Sequence, residues 1–296
     1  MIDAAEAELA VRAAVVAFRT PRDVVEATGD DATSYLQGQL SQDLAAVAVG
    51  ASAWSLLLQP QGKVDTWLRV VRLDTDRWLL DTDPGSGPGL VARLERFKLR
   101  TRMELRATGW SMVALRGPGS AAVAVPDGVV AADPAWPGIA GLDLLGPDPG
   151  IPDGVPEGDP SALEALRIWA GVPAMGRELT ERTIPAEAGI VARSVSFTKG
   201  CYVGQELVAR IDSRGGHTPR RLWGLVVEGS AIPPAGAAVV VDGAEVGQVT
   251  SAARSAEAGV VALAYLKRSV EEPGSAQVEL ADGSRVDGRI VALPTV

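Results

Sequence analysis

After Gly216 the chain breaks into six short apolar and β-branched runs, at 221–227, 237–241, 245–251, 260–266, 277–280 and 285–293, separated by turn residues. Runs of this length and spacing read as strands, and the natural closure for six of them is a small β-barrel. Asp242-Gly243 and Asp282-Gly283 fall between runs, where hairpin turns require positive φ. The spacing therefore predicts a C-terminal barrel domain over 217–296.

The first 216 residues follow a different pattern. Asp30 or Asp31 is placed to cap a helix in which Leu36, Leu40 and Leu44 recur every four residues, leaving Gln37, Gln39, Ser41 and Gln42 on other faces. Residues 54–58 and 64–73 read as strands around Pro60-Gln61-Gly62, 78–82 as a third strand, and 90–97 as a helix after the loop 83–89. Between 117 and 160 proline and glycine are dense, which predicts short strands, irregular connections and a crossing between two subdomains. The fold class expected is α+β with a barrel at its end.

Composition narrows the function. At 296 residues and 47% hydrophobic content the chain has material for more than one packed core. A net charge of −9 argues against a broad nucleic-acid-binding surface, although a local basic pocket is compatible with it. Asp3, Glu6 and Glu8 precede the apolar run 13–18 in place of a positive n-region, so no signal peptide is read. No apolar stretch is long enough to span a bilayer, and a cytoplasmic protein is expected. One cysteine and one histidine exclude an internal disulfide, and they cannot supply a zinc or four-thiolate cluster site within one chain.

That cysteine, Cys201, stands in the segment KGCYVGQE at 199–206. On an extended backbone Lys199 and Cys201 point to one side, and an ammonium beside a thiol favours the thiolate, the form that reacts or binds metal. Gly200 and Gly204 let the main chain bend or approach a ligand. Gln205 and Glu206 hold the loop through its backbone or touch a ligand, and Glu206 is placed to pair with Lys199, which would weaken the lysine's effect on the thiol. The alternative is a buried, inert cysteine beside a strand-to-helix turn. His217 follows Gly215-Gly216 and reads as a linker residue.

The run 167–216, RIWAGVPAMGRELTERTIPAEAGIVARSVSFTKGCYVGQELVARIDSRGG, closely resembles the YgfZ-type folate-binding proteins, relatives of the glycine-cleavage T-protein (aminomethyltransferase) that assist iron–sulfur protein maturation. GDDATSYLQGQLSQD at 29–43 and LQPQGKVDTWLRV at 58–70 resemble it as well, in the same order. The resemblance implies folate-binding subdomains around a central site, spanning 1–216 and followed by the barrel. It also implies a reduced folate, tetrahydrofolate or a derivative, as cofactor, and iron–sulfur client proteins as partners.

Folate is a flat pterin with an anionic tail, so its site needs an apolar slot and a cation. Arg167, in LRIWAG, matches a folate-contacting arginine of T-protein relatives, with a helix-end arginine paired to a carboxylate as its alternative. Trp67 and Tyr202 are candidates for flat surface, with burial in the core as theirs. Two departures stand out. Thr66 and Trp67 occupy the positions of the T-protein's aspartate pair, with Asp65 just before them, and 135–145 lacks the TGEDG-like motif, leaving Asp143 as its only carboxylate. The expected function is a tetrahydrofolate-binding factor for iron–sulfur cluster assembly or repair that uses Cys201, and not an aminomethyltransferase of the usual kind. The alternatives are a folate-dependent aminomethyltransferase or other one-carbon transferase, and a folate-binding scaffold in which Cys201 is inert.

Overall fold

The computed structural model describes residues 1–270 and 274–295. The chain opens with α1 (Ala4–Ala10), capped by the Asp3 carboxylate, which accepts the Glu6 amide at 2.9 Å. β1 (Val16–Thr20), β2 (Asp23–Thr28), α2 (Ala32–Gln39), β3 (Ser52–Leu58), β4 (Val64–Asp74), β5 (Arg77–Thr82) and α3 (Gly87–Phe97) follow. Next come β6 (Glu104–Ala107), β7 (Ser111–Arg116), β8 (Val130–Ala132) and β9 (Gly141–Gly146), then α4 (Pro160–Trp169), the one-turn α5 (Val191–Ser194) and α6 (Gln205–Ser213). The last six strands are β10 (Arg220–Val227), β11 (Ala238–Val241), β12 (Ala244–Ser255), β13 (Gly259–Lys267), β14 (Gly274–Glu279) and β15 (Arg285–Val291).

Helix α2 stops earlier than its leucine spacing predicts. Leu40 leaves it with an extended backbone, and Leu44 begins a separate 3-10 turn, Leu44–Ala46. Leu36, Leu40 and Leu44 still enter one core, so the four-residue repeat marked shared burial and not one continuous helix. Asp31 precedes α2 without capping it, because its carboxylate accepts instead from the Arg102 amide and guanidinium.

Two antiparallel sheets make up the first part. A five-stranded sheet runs β3-β4-β5-β2-β6 and a four-stranded sheet runs β1-β7-β9-β8. One face of the larger sheet, with Leu57, Leu68, Val70, Trp78 and Leu80, packs on Leu36 of α2 and on Leu90 and Leu94 of α3. Its other face, with Leu56, Leu58, Trp67 and Leu79, joins Phe18, Met112 and Ala114 of the smaller sheet in a second core that reaches Leu166 of α4 and Val208 of α6. A sheet covered on both faces needs strands apolar on both sides, and β4 is buried without a break from Thr66 to Val71.

The exception within that stretch is charged. Arg69 on β4 donates to Asp81 on β5 at 2.6 Å and to Asp143 on β9 at 2.7 Å, and Arg116 on β7 donates to Asp143 at 2.7 Å. Arg22 completes the chain of ions by donating to Asp81 at 2.7 Å. These buried guanidinium–carboxylate bonds fasten the two sheets to each other, and each charge has its partner, as burial requires.

All six runs predicted after Gly216 form strands, and they close into a barrel in the order β10-β13-β12-β11-β14-β15. Asp242 and Gly243 take φ values of 50° and 78° in the turn joining β11 to β12, the positive-φ pair that a two-residue hairpin demands. The barrel sits on α1 and α4. The buried Glu8 carboxylate accepts from Ser255 Oγ at 2.6 Å and from the Ala256 amide at 2.7 Å, while the Trp169 indole donates to Ser255 Oγ at 2.9 Å. No described helix is long and apolar enough to cross a membrane.

Candidate functional site

Cys201 is exposed, just ahead of α6. The buried, inert alternative therefore does not describe it. Its loop is fixed by backbone contact rather than by side-chain bulk. Gly204 has φ of 80°, and a Cβ there would lie 2.4 Å from the Gln59 carbonyl oxygen; at Gly62, φ 79°, a Cβ would lie 2.5 Å from Leu207 Cβ. The two glycines let the β3–β4 turn and the start of α6 touch, which is the close approach that glycine permits. Gln205 Oε1 accepts the Tyr202 amide at 3.2 Å and closes the turn that carries the cysteine. Gly200, by contrast, has open space around its Cβ position. Glu206 is exposed in the first turn of α6.

Lys199 is not aimed at the thiol. Its ammonium donates to the carbonyls of Gln37 and Leu40, both at 2.6 Å, and of Gln42 at 3.0 Å, so its three N–H bonds close off the end of α2. Helix carbonyls left without intrahelical partners attract a cation, and this requirement overrides the extended-strand geometry that would have put Lys199 beside Cys201. The same bonds, and not a pair with Glu206, account for its placement. Burial pushes the Lys199 pKa down to about 8. Lys199→Met is expected to lower stability by about 1–3 kcal/mol, the effect of leaving buried acceptors unpaired, as a shift in the urea midpoint. An unchanged midpoint would show that the three bonds contribute nothing.

Arg167 is equally committed. Its Nε and Nη2 donate to Glu164 at 2.9 and 2.8 Å, Nη1 to the Val172 carbonyl at 2.5 Å and to Glu178 at 3.1 Å, and Nη2 also to Ser251 Oγ at 2.9 Å. A guanidinium has five N–H donors, so all are occupied within the protein, across α4, the following loop and barrel strand β12. Burial opposes its charge, but Glu164 and Glu178 outweigh this and raise the pKa above the usual arginine value. As placed, Arg167 has no donor left for a ligand carboxylate, and the helix-end pairing describes it.

Trp67 is 3% exposed, stacks on Trp54 with centroids 4.1 Å apart, and donates its indole N–H to Ser194 Oγ at 2.9 Å. Tyr202 is buried in the same core, with the Lys199 ammonium 5.3 Å from its ring, and burial pushes its phenol pKa up to about 12. Both aromatics present no open slot. Asp143 is occupied by Arg69 and Arg116; burial works against its ionisation, yet the two guanidiniums hold the carboxyl below the usual range.

Asp65 is set aside by a bulge. Leu57 faces Thr66 and Leu58 faces Val64, so Asp65 is the extra residue of β4. Its carboxylate accepts from Thr66 Oγ1 at 3.3 Å and lies 3.6 Å from Arg93 Nε of α3. It thus belongs to the α3-covered face, while Trp67 faces the other core. Ser194, the partner of Trp67, and Arg193 beside it were missed in the sequence, where nothing marks them out in VARSVSF except an arginine within an apolar stretch.

Residues 220–296 match the model of the glycine cleavage T-protein C-terminal barrel domain. A solved aminomethyltransferase T of the Bartonella henselae glycine cleavage system shares the fold over 99% of this chain and 89% of its own, with a TM-score of 0.84 at 22% identity. An aminomethyltransferase of Streptomyces avermitilis is 30% identical over 312 aligned residues, covering 91% of this chain and 83% of that protein. A mitochondrial iron–sulfur cluster assembly factor homolog of Mycosarcoma maydis is 29% identical over 212 residues, covering 66% of this chain and 53% of its own. The fold is that of the T-protein, and the chain belongs to the aminomethyltransferase family.

Proposed function

We propose that this protein is a YgfZ-type, tetrahydrofolate-binding factor that assists assembly or repair of iron–sulfur clusters in client proteins through Cys201. The observation that carries the reading is the exposed thiol of KGCYVGQE on a loop fixed by Gly62, Gly204 and Gln205. A thiolate ligates iron, and a single one leaves the remaining cluster positions to the client. The likeness to the Mycosarcoma maydis assembly factor homolog supports it. The folate part rests on family membership, since Arg167, Trp67 and Tyr202 are all held in protein contacts and do not fit as its open binding set.

The competing reading is an aminomethyltransferase, in line with the Streptomyces avermitilis relative. Proton transfer to the folate amine would need an acid on the inner face of β4, where Trp67 stands and from which the bulge turns Asp65 away. General acid–base assistance is worth roughly 10²–10⁴-fold in rate. Purified protein given tetrahydrofolate and an aminomethyl-loaded lipoyl carrier is therefore expected to release methylene-tetrahydrofolate at background rate. Rapid turnover that disappears in Asp65→Asn would make the protein an aminomethyltransferase.

A further inference from the structure

A cleft of about 530 Å³ separates α6 from the barrel, a size in the range of roughly 300–1,000 Å³ typical of small-molecule sites. Its walls are Ile184, Ala188 and Val191 on one side, Val208 and Ile211 of α6 on another, and Trp223 of β10 with Leu293 on the third. This lining is mostly apolar, and Arg193 enters it.

Arg193, which is half-buried, differs from four arginines that are buried more deeply or more fully paired. Arg22, Arg69, Arg116 and Arg167 each meet a carboxylate within 3.1 Å. Arg193 makes only a long bond, 3.4 Å to the Ala135 carbonyl, and has no ion-pair partner among the described residues. Burial lowers its pKa, with no carboxylate to offset the effect. A partly desolvated cation without a counter-charge is unfavourable, and an anion entering the cleft would relieve it.

The remaining charges limit that anion. Glu187 lines the cleft but accepts from Arg220 Nε at 3.1 Å and from the Ile184 amide at 3.3 Å. Asp212 and Arg221 also line it. Among the lining side chains Arg193 and Arg221 stand against Glu187 and Asp212, and Glu187 is already paired with Arg220 from outside the lining, which leaves one positive charge without a partner. We propose that the cleft binds a small monoanionic carboxylate with an apolar body, the carboxylate paired to Arg193 and the body lying between Trp223 and Val208. The site is independent of the folate reading and uses no residue of the Cys201 loop.

Calorimetric titration with 2-naphthoate, 2-naphthamide and 2-naphthyl phosphate tests it on the full chain. Wild type is expected to bind 2-naphthoate about tenfold or more tightly than the amide, the least that a charge-assisted bond supplies, and more tightly than the phosphate dianion. Arg193→Gln should erase the preference for naphthoate over the amide and Arg193→Lys should keep most of it, with folding checked by circular dichroism. Failure of wild type to bind millimolar 2-naphthoate, equal binding of acid and amide, tighter binding of the phosphate, or a preference intact in Arg193→Gln would each overturn the proposal. The wild-type comparison stands even if Arg193→Gln does not fold.

Discussion

Cys201→Ser is expected to abolish client maturation while leaving the fold untouched. The side chain is exposed, and substitutions at such positions usually change stability by less than about 0.5 kcal/mol. Oxygen replaces sulfur at nearly the same size, so the loop held by Gln205 and the Gly62–Gly204 contact stays as it is. What is lost is the sulfur, and with it nucleophilicity and affinity for iron. The measurement is the activity of a cluster-dependent client enzyme matured with either protein, beside a thermal melt of both. Wild-type client activity with Cys201→Ser would remove the thiol from the mechanism and leave a folate-binding scaffold.

Arg167→Ala is expected to destabilise the protein by about 3–5 kcal/mol, the usual effect of removing one partner from a buried ion pair. Glu178 is fully buried; it would keep its bonds from the Ala174 amide at 2.9 Å and Ser251 Oγ at 2.6 Å but lose its counter-charge. Arg167 also joins α4 to Ser251 on β12, so the seat of the barrel loosens along with the pair. The loss is read as a lower denaturation midpoint. If Arg167 instead served a ligand, the midpoint would barely move and affinity for reduced folate would fall, which calorimetry distinguishes.

The barrel was legible because each of its strands carries its own signal. Six short β-rich runs and the Asp242-Gly243 turn specify local conformations, and a set of such strands has few ways to close. The same holds for β3 to β5, whose predicted bounds differ from the observed ones by two residues at most. Helix α2 was less legible, since a leucine every fourth residue reports which side chains are buried together, and a helix followed by a 3-10 turn buries them as well as a longer helix would.

The relationship to the T-protein was likewise legible, in the run 167–216 and the segments ahead of it. Side-chain direction was not. Lys199 lies two residues from Cys201, yet the unpaired carbonyls at the end of α2, some 160 positions earlier in the chain, claim its ammonium. Asp65 lies two residues from Trp67, yet one bulged residue sends it to the opposite face of the sheet. Arg167 matches a ligand-binding position by sequence, and Ser251, more than eighty residues away, helps to fill its last donors. Sequence patterns set which segments are strands, turns and helices because those choices depend on near neighbours. Which donor meets which acceptor depends on groups brought together only when the sheets, helices and barrel pack, and there the need to pair every buried charge decides.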